Sequence, residues 1–251
     1  ADINFYNRYH DTALSLAIIL QDKVLTALLY DRGAALDTFE HMALRNAVST
    51  ENNAFIAFVL TQGIDADSRF ENEQTVLMAA ARNACESGNL NPMRMLLAYG
   101  ADINAVDTEG RSVLQCALLR TDDTDACHVF SVVDYCLECG ADPNQRDGYS
   151  SSEDSLLHTA VCEQNLALTQ ILLRHGANPN ILNTLGNSPL QALLEDISLG
   201  LIEVPSFTLI ETLLKHGAQT NRCNHDNNTA LELAHACEDN ALLALLLRYS
   251  T

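Results

Sequence analysis

The chain has 251 residues, of which 47% are hydrophobic and 6% aromatic, with no tryptophan and a formal net charge of −19. This apolar fraction excludes a wholly disordered chain, and a composition rich in Leu and Ala favours packed helices. An acidic surface repels phosphate backbones and anionic lipids, so we expect no nucleic-acid partner and no membrane insertion. A protein with a basic or mixed-charge surface fits better as a partner.

The chain contains eight cysteines, several of them inside Leu- and Ala-rich runs that read as helices. Cysteine in such runs behaves as a small apolar side chain. We therefore expect reduced thiols and a cytoplasmic protein. No apolar run is as long as a membrane span.

One short pattern recurs along the chain from its N-terminus. A residue such as Ser or Thr, which can cap a helix, precedes a leucine, and small residues follow the leucine. These elements predict the first helix of each repeat. We call the leucines the anchor leucines: Leu14, Leu44, Leu77, Leu114, Leu157, Leu190 and Leu231.

A second, Leu-rich run follows each first helix, and six of these runs end in a glycine. A glycine at that place supplies the left-handed backbone that ends a helix. These runs predict the second helix of each repeat. The closing glycines are Gly33, Gly63, Gly100, Gly140, Gly176 and Gly217.

The recurring elements resemble the ankyrin repeat family, whose signature is Thr-Pro-Leu-His-x-Ala. Two partial copies are Leu157-His158 and Ser188-Pro189-Leu190, and no copy is complete. The resemblance covers nearly the whole chain and implies an all-α solenoid of about seven helix-turn-helix repeats, joined by β-hairpin-like finger loops. We expect one array over 1–251, with repeats at about 5–37, 38–67, 68–104, 105–144, 145–180, 181–221 and 222–251. Residues 1–4 would be the tail of a preceding repeat.

The repeats differ in length between the anchor leucine and the closing glycine. Repeats three, four and six are longer than repeats one, two and five. We therefore expect insertions between the two helices, at about Cys85–Pro92, Thr121–Ala126 and Glu195–Ser206. Such insertions map to one edge of a solenoid, which is often a binding edge.

Three groups of residues could carry chemistry, and each has a simpler structural interpretation. Cys136 and Cys139 form a CxxC, but no second pair completes a zinc site. The structural interpretation is that Cys136 replaces a core leucine and Cys139 the residue before Gly140. Cys162 follows His158 by one helical turn, yet in ankyrin-like proteins the histidine at this position hydrogen-bonds neighbouring loops. The acidic loop 122–125 lacks the EF-hand pattern. We expect no catalytic residue, no metal site and no cofactor.

The resemblance also implies where a partner binds. In ankyrin-like proteins the ligand surface is usually the concave one, formed by finger tips and the exposed side of the first helices. Transferred through the anchor leucines, these positions suggest a groove that grades from apolar through basic to acidic. The candidate partner-binding residues are Tyr9, Ile19, Leu20, Phe39, Arg82, Arg111, Leu119, Arg120 and Glu195. Some ankyrin proteins are hydroxylated on the Asn that ends the Gly-Ala-Asp-x-Asn segment, and Asn104 is the candidate here.

These expectations favour a protein-interaction scaffold or adaptor that is not itself an enzyme. Two alternatives stay open. The repeats could select the substrate of a larger enzyme whose catalytic domain lies outside this chain. They could also belong to a secreted bacterial effector that acts in a host cytoplasm.

Overall fold

A computed structural model describes residues 2–8, 12–20, 22–34, 40–118, 126–146, 153–202 and 204–250. The chain divides into two compact units, Ala1–Cys139 and Gly140–Thr251. In the described residues, both units consist of helices in consecutive pairs. Among the described residues, fourteen α-helices form seven pairs, which matches the seven or so helix-turn-helix repeats expected from the sequence.

The first unit contains four helix pairs. Within it, the first helices of neighbouring pairs pack on one another (α1 on α3, α3 on α5 and α5 on α7), and α4 packs on α6. Each first helix also packs on the second helix of its own pair. The helices are α1 (Ala13–Ile19), α2 (Lys23–Asp31), α3 (Glu40–Ser49), α4 (Asn53–Thr61), α5 (Val76–Ser87), α6 (Asn91–Ala98), α7 (Val113–Leu118) and α8 (Ala126–Glu138).

In its described residues the second unit contains three helix pairs, and helices of neighbouring pairs pack on one another here as well. The first helices α9, α11 and α13 contact one another in order, and so do the second helices α10, α12 and α14. Their bounds are α9 (Leu156–Cys162), α10 (Leu166–Arg174), α11 (Pro189–Ser198), α12 (Phe207–Lys215), α13 (Ala230–Ala236) and α14 (Asn240–Leu247).

Polar side chains fix where many of these helices begin. Thr75 and Ser188 accept hydrogen bonds from backbone N–H groups in the first turns of α5 and α11. Asn52 and Asn165 do the same for the second helices α4 and α10. Such caps satisfy donors that the first turn of a helix leaves unpaired, and they set the register in which apolar side chains turn inward.

The core of each unit is a stack of aliphatic layers between repeats. Six of the seven anchor leucines are buried, from Leu14 to Leu190, whereas Leu231 is half-buried. The second helices bury matching side chains such as Phe55, Met93, Leu168 and Leu209. Because one helix pair cannot bury its own apolar face, this inter-repeat packing provides most of the stability.

The fingers are the loops that join the second helix of one repeat to the first helix of the next. In the described part of the chain they form two isolated antiparallel bridges, Arg69 with Thr75 and Arg146 with Ser155, and no extended strand. Hydrogen bonds between neighbouring fingers hold them instead: Thr108 donates to the Asn72 carbonyl through both its N–H (3.0 Å) and its hydroxyl (3.1 Å). The expected hairpin-like character is therefore limited to these bridges.

The connections inside the helix pairs vary in length. α5 has 12 residues and ends at Gly88, where φ is +73°, and α6 begins at Asn91. α11 ends at Ser198, and α12 begins only at Phe207. The segment Thr121–Ala126 lies outside the described residues except for Ala126. No helix among those described has the length and apolarity needed to cross a membrane.

Candidate functional site

The finger surface is the side of each unit that the first helices and the fingers form. In the first unit it starts at the C-terminus of α1, where Ile19 is 48% and Leu20 75% exposed. Leu16, one turn earlier, is also exposed, while Leu14 and Ile18 of the same helix are buried. Exposed apolar side chains beside a well-packed helix are candidates for the core of an interface.

Arg82 and Asn83 occupy the corresponding positions on α5. The guanidinium of Arg82 donates a 2.9 Å hydrogen bond to Gln74 Oε1. The uncharged amide of Gln74 therefore orients the guanidinium. Asn83 Nδ2 donates to the carbonyl of Val48 at 3.2 Å and thereby links repeat three to repeat two. Arg82 keeps a positive charge that an external carboxylate could approach, whereas Asn83 serves the packing of the array.

Arg111 lies in the next finger, where it is tied to two carboxylates. Its NH2 is 2.7 Å from Asp107 Oδ2, and its NH1 is 2.6 Å from Glu109 Oε2. The other Asp107 oxygen accepts the backbone N–H groups of Glu109 and Arg111, each at 2.9 Å. Burial alone would raise the pKa of Asp107, but these hydrogen bonds and the guanidinium outweigh it and lower the pKa. The positive charge predicted for the middle of the groove is therefore largely neutralised at Arg111.

Two arginines that the sequence analysis did not single out also shape this surface. The guanidinium of Arg45 lies over the ring of Phe70, 4.6 Å from its centre, and so joins α3 to the next finger. Arg69 NH1 donates to the carbonyls of Glu73 (3.1 Å) and Val106 (2.9 Å) and so joins two fingers. The sequence did contain a signal for the first of these contacts, because Arg45 directly follows the anchor Leu44 and Phe70 lies in the next finger.

In the second unit, His158 connects two repeats from a buried position. Its Nδ1 lies 3.2 Å from the Ser155 backbone nitrogen and 2.9 Å from Ser155 Oγ. Since the backbone N–H can only donate, Nδ1 is an acceptor, the proton is on Nε2, and Nε2 donates to the Asn187 carbonyl at 3.0 Å. Burial lowers the pKa of His158 and keeps the ring neutral. This arrangement supports the structural interpretation of the histidine.

Acidic side chains dominate the rest of this surface. Glu195 Oε2 accepts from Asn187 Nδ2 at 2.6 Å, and Asp154 accepts from Asn183 Nδ2 at 2.9 Å. Burial, and with it the nearby carboxylate of Asp196, raises the pKa of the Cys162 thiol. Both ring nitrogens of His158 are already bonded to Ser155 and Asn187, so the Cys162–His158 spacing does not form an activated pair.

The CxxC pair is divided between interior and surface. Cys136 is buried, and burial raises the pKa of its thiol, while Cys139 is exposed. No group of three or more His, Cys, Asp or Glu side chains in the described residues is arranged to hold a metal ion. Four partner-binding candidates lie outside the described residues, namely Tyr9, Phe39, Leu119 and Arg120. The acidic loop 122–125 also lies outside them.

Comparison with known proteins places this architecture in a family. The sequence matches the family described as "Ankyrin repeats (3 copies)" over residues 16–107 and 41–147. It matches the family described as "Ankyrin repeat" over residues 152–184. A putative ankyrin repeat protein of Fowlpox virus (strain NVSL) is 29% identical over 185 residues, which cover 72% of this chain and 49% of the viral protein.

Human B-cell lymphoma 3 protein is 31% identical over 197 residues, which cover 75% of this chain and 40% of the human protein. The crystal structure of the ankyrin repeat domain of Bcl-3, described as a unique member of the IkappaB protein family, superposes with a TM-score of 0.73 at 25% identity. That alignment covers 94% of this chain and 98% of the Bcl-3 domain. The chain spans less than half the length of the two curated relatives. The repeated helix pairs, the capped first helices and these matches together show that the chain belongs to the ankyrin repeat family.

Proposed function

We propose that this chain binds a partner protein through its finger surface and acts as an interaction scaffold or adaptor. The observation that carries the proposal is the exposure of Ile19 and Leu20 at first-helix positions. In ankyrin-like proteins these positions belong to the concave ligand surface. Ankyrin repeats are typically protein-interaction modules.

The charge of the finger surface suggests the chemistry of the partner. The second unit places Asp154, Glu163, Glu195 and Asp196 at or beside finger-surface positions, and the chain as a whole carries a net charge of −19. A basic or mixed-charge protein surface complements these groups, whereas a phosphate backbone would meet like charges. Arg82 offers one place where a carboxylate of a mixed-charge partner could bind.

The apolar part of the proposal is tested with the double substitution Ile19→Ser and Leu20→Ser. A partner is first isolated by affinity capture from a lysate and identified, and its dissociation constant is then measured with purified proteins. We expect the double variant to bind at least about tenfold more weakly, because it removes two exposed apolar contacts. Val24→Ser is the matched control, since Val24 is 80% exposed but lies on the second helix α2. Equal affinities for wild type and double variant would contradict the proposal.

Three further features belong to this proposal. The extra residues of repeats three, four and six are inferred to be insertions that extend the binding edge, and in repeat three they lengthen α5. The free cysteines among the described residues, such as Cys85, Cys116 and Cys223, support a reducing cytoplasmic location.

Asn104 is exposed, and its backbone N–H donates to Asp102 Oδ1 at 2.9 Å. We infer that a hydroxylase could reach this turn, and an intact mass without an added oxygen after exposure to such an enzyme would contradict that inference.

A second candidate function is substrate recognition within a larger enzyme. It is favoured by one fact, that the chain spans less than half the length of its curated relatives. The full-length reading frame distinguishes it from a free-standing adaptor. Two results together would support recognition of the substrate by the repeats. The reading frame would contain a catalytic domain, and deletion of the repeats would abolish turnover of the protein substrate while the catalytic domain keeps its intrinsic activity.

A further inference from the structure

The connection between α11 and α12 exposes a group of apolar side chains. Leu199 is 68% exposed, Leu201 71% and Val204 79%, and Phe207 at the start of α12 is 39% exposed. Single exposed leucines are common in folded proteins, but four large apolar side chains in one short segment form a patch. We call these four residues the repeat-six patch.

The backbone that carries the repeat-six patch is held in place. Leu199 and Leu201 donate their N–H groups to the carbonyls of Glu195 and Asp196, each at 2.9 Å, and these bonds continue the end of α11. At the other end, Ser206 donates its N–H to the Gln164 side chain at 2.8 Å, which fixes the connection to repeat five. The patch is therefore exposed because the folded backbone presents it, and not because the connection lacks partners.

Acidic side chains lie at the ends of the first helices in three consecutive repeats, of which the middle one carries the repeat-six patch. Glu195 and Asp196 lie in the last turn of α11, directly before the patch. α9 packs on α11, so the end of α9, which Glu163 follows directly, lies on the repeat next to the end of α11. Cys237 Sγ donates to the Leu194 carbonyl at 3.5 Å and brings the end of α13 close as well.

The same edge lacks compensating positive charge in its sequence. Segments 160–166, 194–206 and 235–241 contain no Lys or Arg and a single His, His235. The third segment adds Glu238, which is exposed, and Asp239, which is half-buried. An apolar patch next to helix ends that carry carboxylates and no Lys or Arg is complementary to a ligand that is both apolar and basic.

We propose that this edge docks an amphipathic, basic segment of a partner protein. Apolar side chains of that segment would cover Leu199, Leu201 and Val204, and its Lys or Arg side chains would lie against the neighbouring carboxylates. A nucleic acid or an anionic membrane would meet like charge here, and a second copy of this chain would bring the same carboxylates to the contact. The inference rests on the proposed protein-binding function and adds an apolar contact, at the turns between helices, to the acidic end of the finger surface.

A synthetic peptide of about five helical turns tests the docking edge. It carries leucine on one face and lysine on the other, and its dissociation constant is measured by fluorescence anisotropy. Two control peptides have the same composition in scrambled order, or glutamate in place of lysine. We expect the amphipathic basic peptide to bind at least tenfold more tightly than either control.

Variants of the chain identify the edge as the place of binding. Leu201→Ser with Val204→Ser is expected to weaken peptide binding at least tenfold, and Glu163→Gln with Glu238→Gln to weaken it and to reduce its salt dependence. Val24→Ser with Leu28→Ser is the matched control, since both residues are exposed apolar side chains of the first unit. All substituted side chains are on the surface, and melting curves check that each variant is folded.

Four results would overturn the inference. Equal binding of the scrambled peptide would show non-specific attraction, and unchanged binding by the Leu201→Ser, Val204→Ser variant would place the peptide elsewhere. Binding of wild-type protein to anionic vesicles but not to the peptide would indicate a membrane. A dimer that this variant dissolves would indicate a second copy. If partner binding depends on Ile19 and Leu20 while the peptide does not bind the edge, the proposed function stands and this inference alone fails.

Discussion

Arg111 and Asp107 form an ion pair inside a finger of the first unit. The carboxylate of Asp107 is fully buried, and the guanidinium of Arg111 retains 18% exposure. One carboxylate oxygen binds the guanidinium, and the other receives two backbone N–H groups, so a single side chain organises the turn 107–111. The pair therefore holds the finger in the conformation in which a partner would meet it.

Replacing Asp107 with Asn is expected to destabilise the protein. The amide keeps one acceptor for the backbone but places an NH2 group against the guanidinium, which leaves a charge without its partner. We expect a loss of about 2 kcal/mol in the free energy of unfolding, measured by urea denaturation. Glu73→Gln is the control, because the Glu73–Arg69 pair is exposed and its atoms are 3.9 Å apart; it should change stability by less than about 0.5 kcal/mol. Equal effects of the two substitutions would contradict the role given to Asp107.

Much of the fold was predictable from the sequence because the same pattern of buried positions recurs in successive repeats. Leu77 and Leu157 are buried at the anchor position, and Gly100 and Gly176 end their helices with φ near +90°. These features depend on contacts between adjacent repeats, which a period in the sequence reveals. One anchor, Leu231, departs from the pattern and is only half-buried.

The candidate site was less accessible to sequence reasoning, for a physical reason. Arg111 matches an exposed position in the alignment of repeats, yet the turn carries Asp107 and Glu109 to its guanidinium. The sequence predicted an insertion at about Glu195–Ser206, but only the folded connection shows that Leu199, Leu201 and Val204 face solvent. Side-chain pairing across turns depends on backbone geometry that no period encodes.

Removal of the His158 ring should weaken the junction between repeats five and six. His158 is 1% exposed and joins Ser155 to the Asn187 carbonyl. We expect His158→Ala to lower the free energy of unfolding by about 2 kcal/mol, since buried polar groups lose a partner and a void remains. The control His235→Ala removes an exposed ring and should be nearly neutral. A stability of His158→Ala equal to that of wild type would show that the junction does not depend on this ring.

Acidification provides a separate check on His158. Burial lowers its pKa in the folded state, so the unfolded chain binds a proton more readily. The stabilising contribution is complete above the unfolded pKa of about 6.5 and is lost as the pH falls toward the folded pKa. We expect His158→Gln to lose less stability than wild type between pH 7.5 and 5.5, as measured by denaturation at both values. If both proteins lost the same free energy of unfolding between these pH values, His158 would not be the source of the pH dependence.

Thiol labelling should separate the cysteines by burial. Cys139 and Cys223 are exposed, whereas Cys85 and Cys116 are buried and burial raises the pKa of each to about 11. Because the thiolate is the reactive form, we expect a maleimide to label Cys139 and Cys223 first, and Cys85, Cys116 and Cys136 only after unfolding. Peptide mass spectrometry after timed labelling measures the order. If Cys136 were labelled as quickly as Cys139, the CxxC would be open to solvent and its structural interpretation would be wrong.

Neighbouring repeats are also joined where their second helices end. Asp67 Oδ1 accepts the N–H of Asp102 at 2.7 Å in the first unit, and Asn144 Oδ1 accepts that of Asn178 at 2.7 Å in the second. Asn180 holds repeat six twice, by accepting from Gln219 N–H and by donating to the Gly217 carbonyl, each at 2.8 Å. We call these inter-repeat hydrogen bonds clasps. Each clasp links one repeat to the next, so a force that pulls on the chain would act on the clasps one after another. Within each unit, extension should therefore proceed as a sawtooth in which single repeats detach in turn, with each step set by the breaking of one clasp and one aliphatic layer.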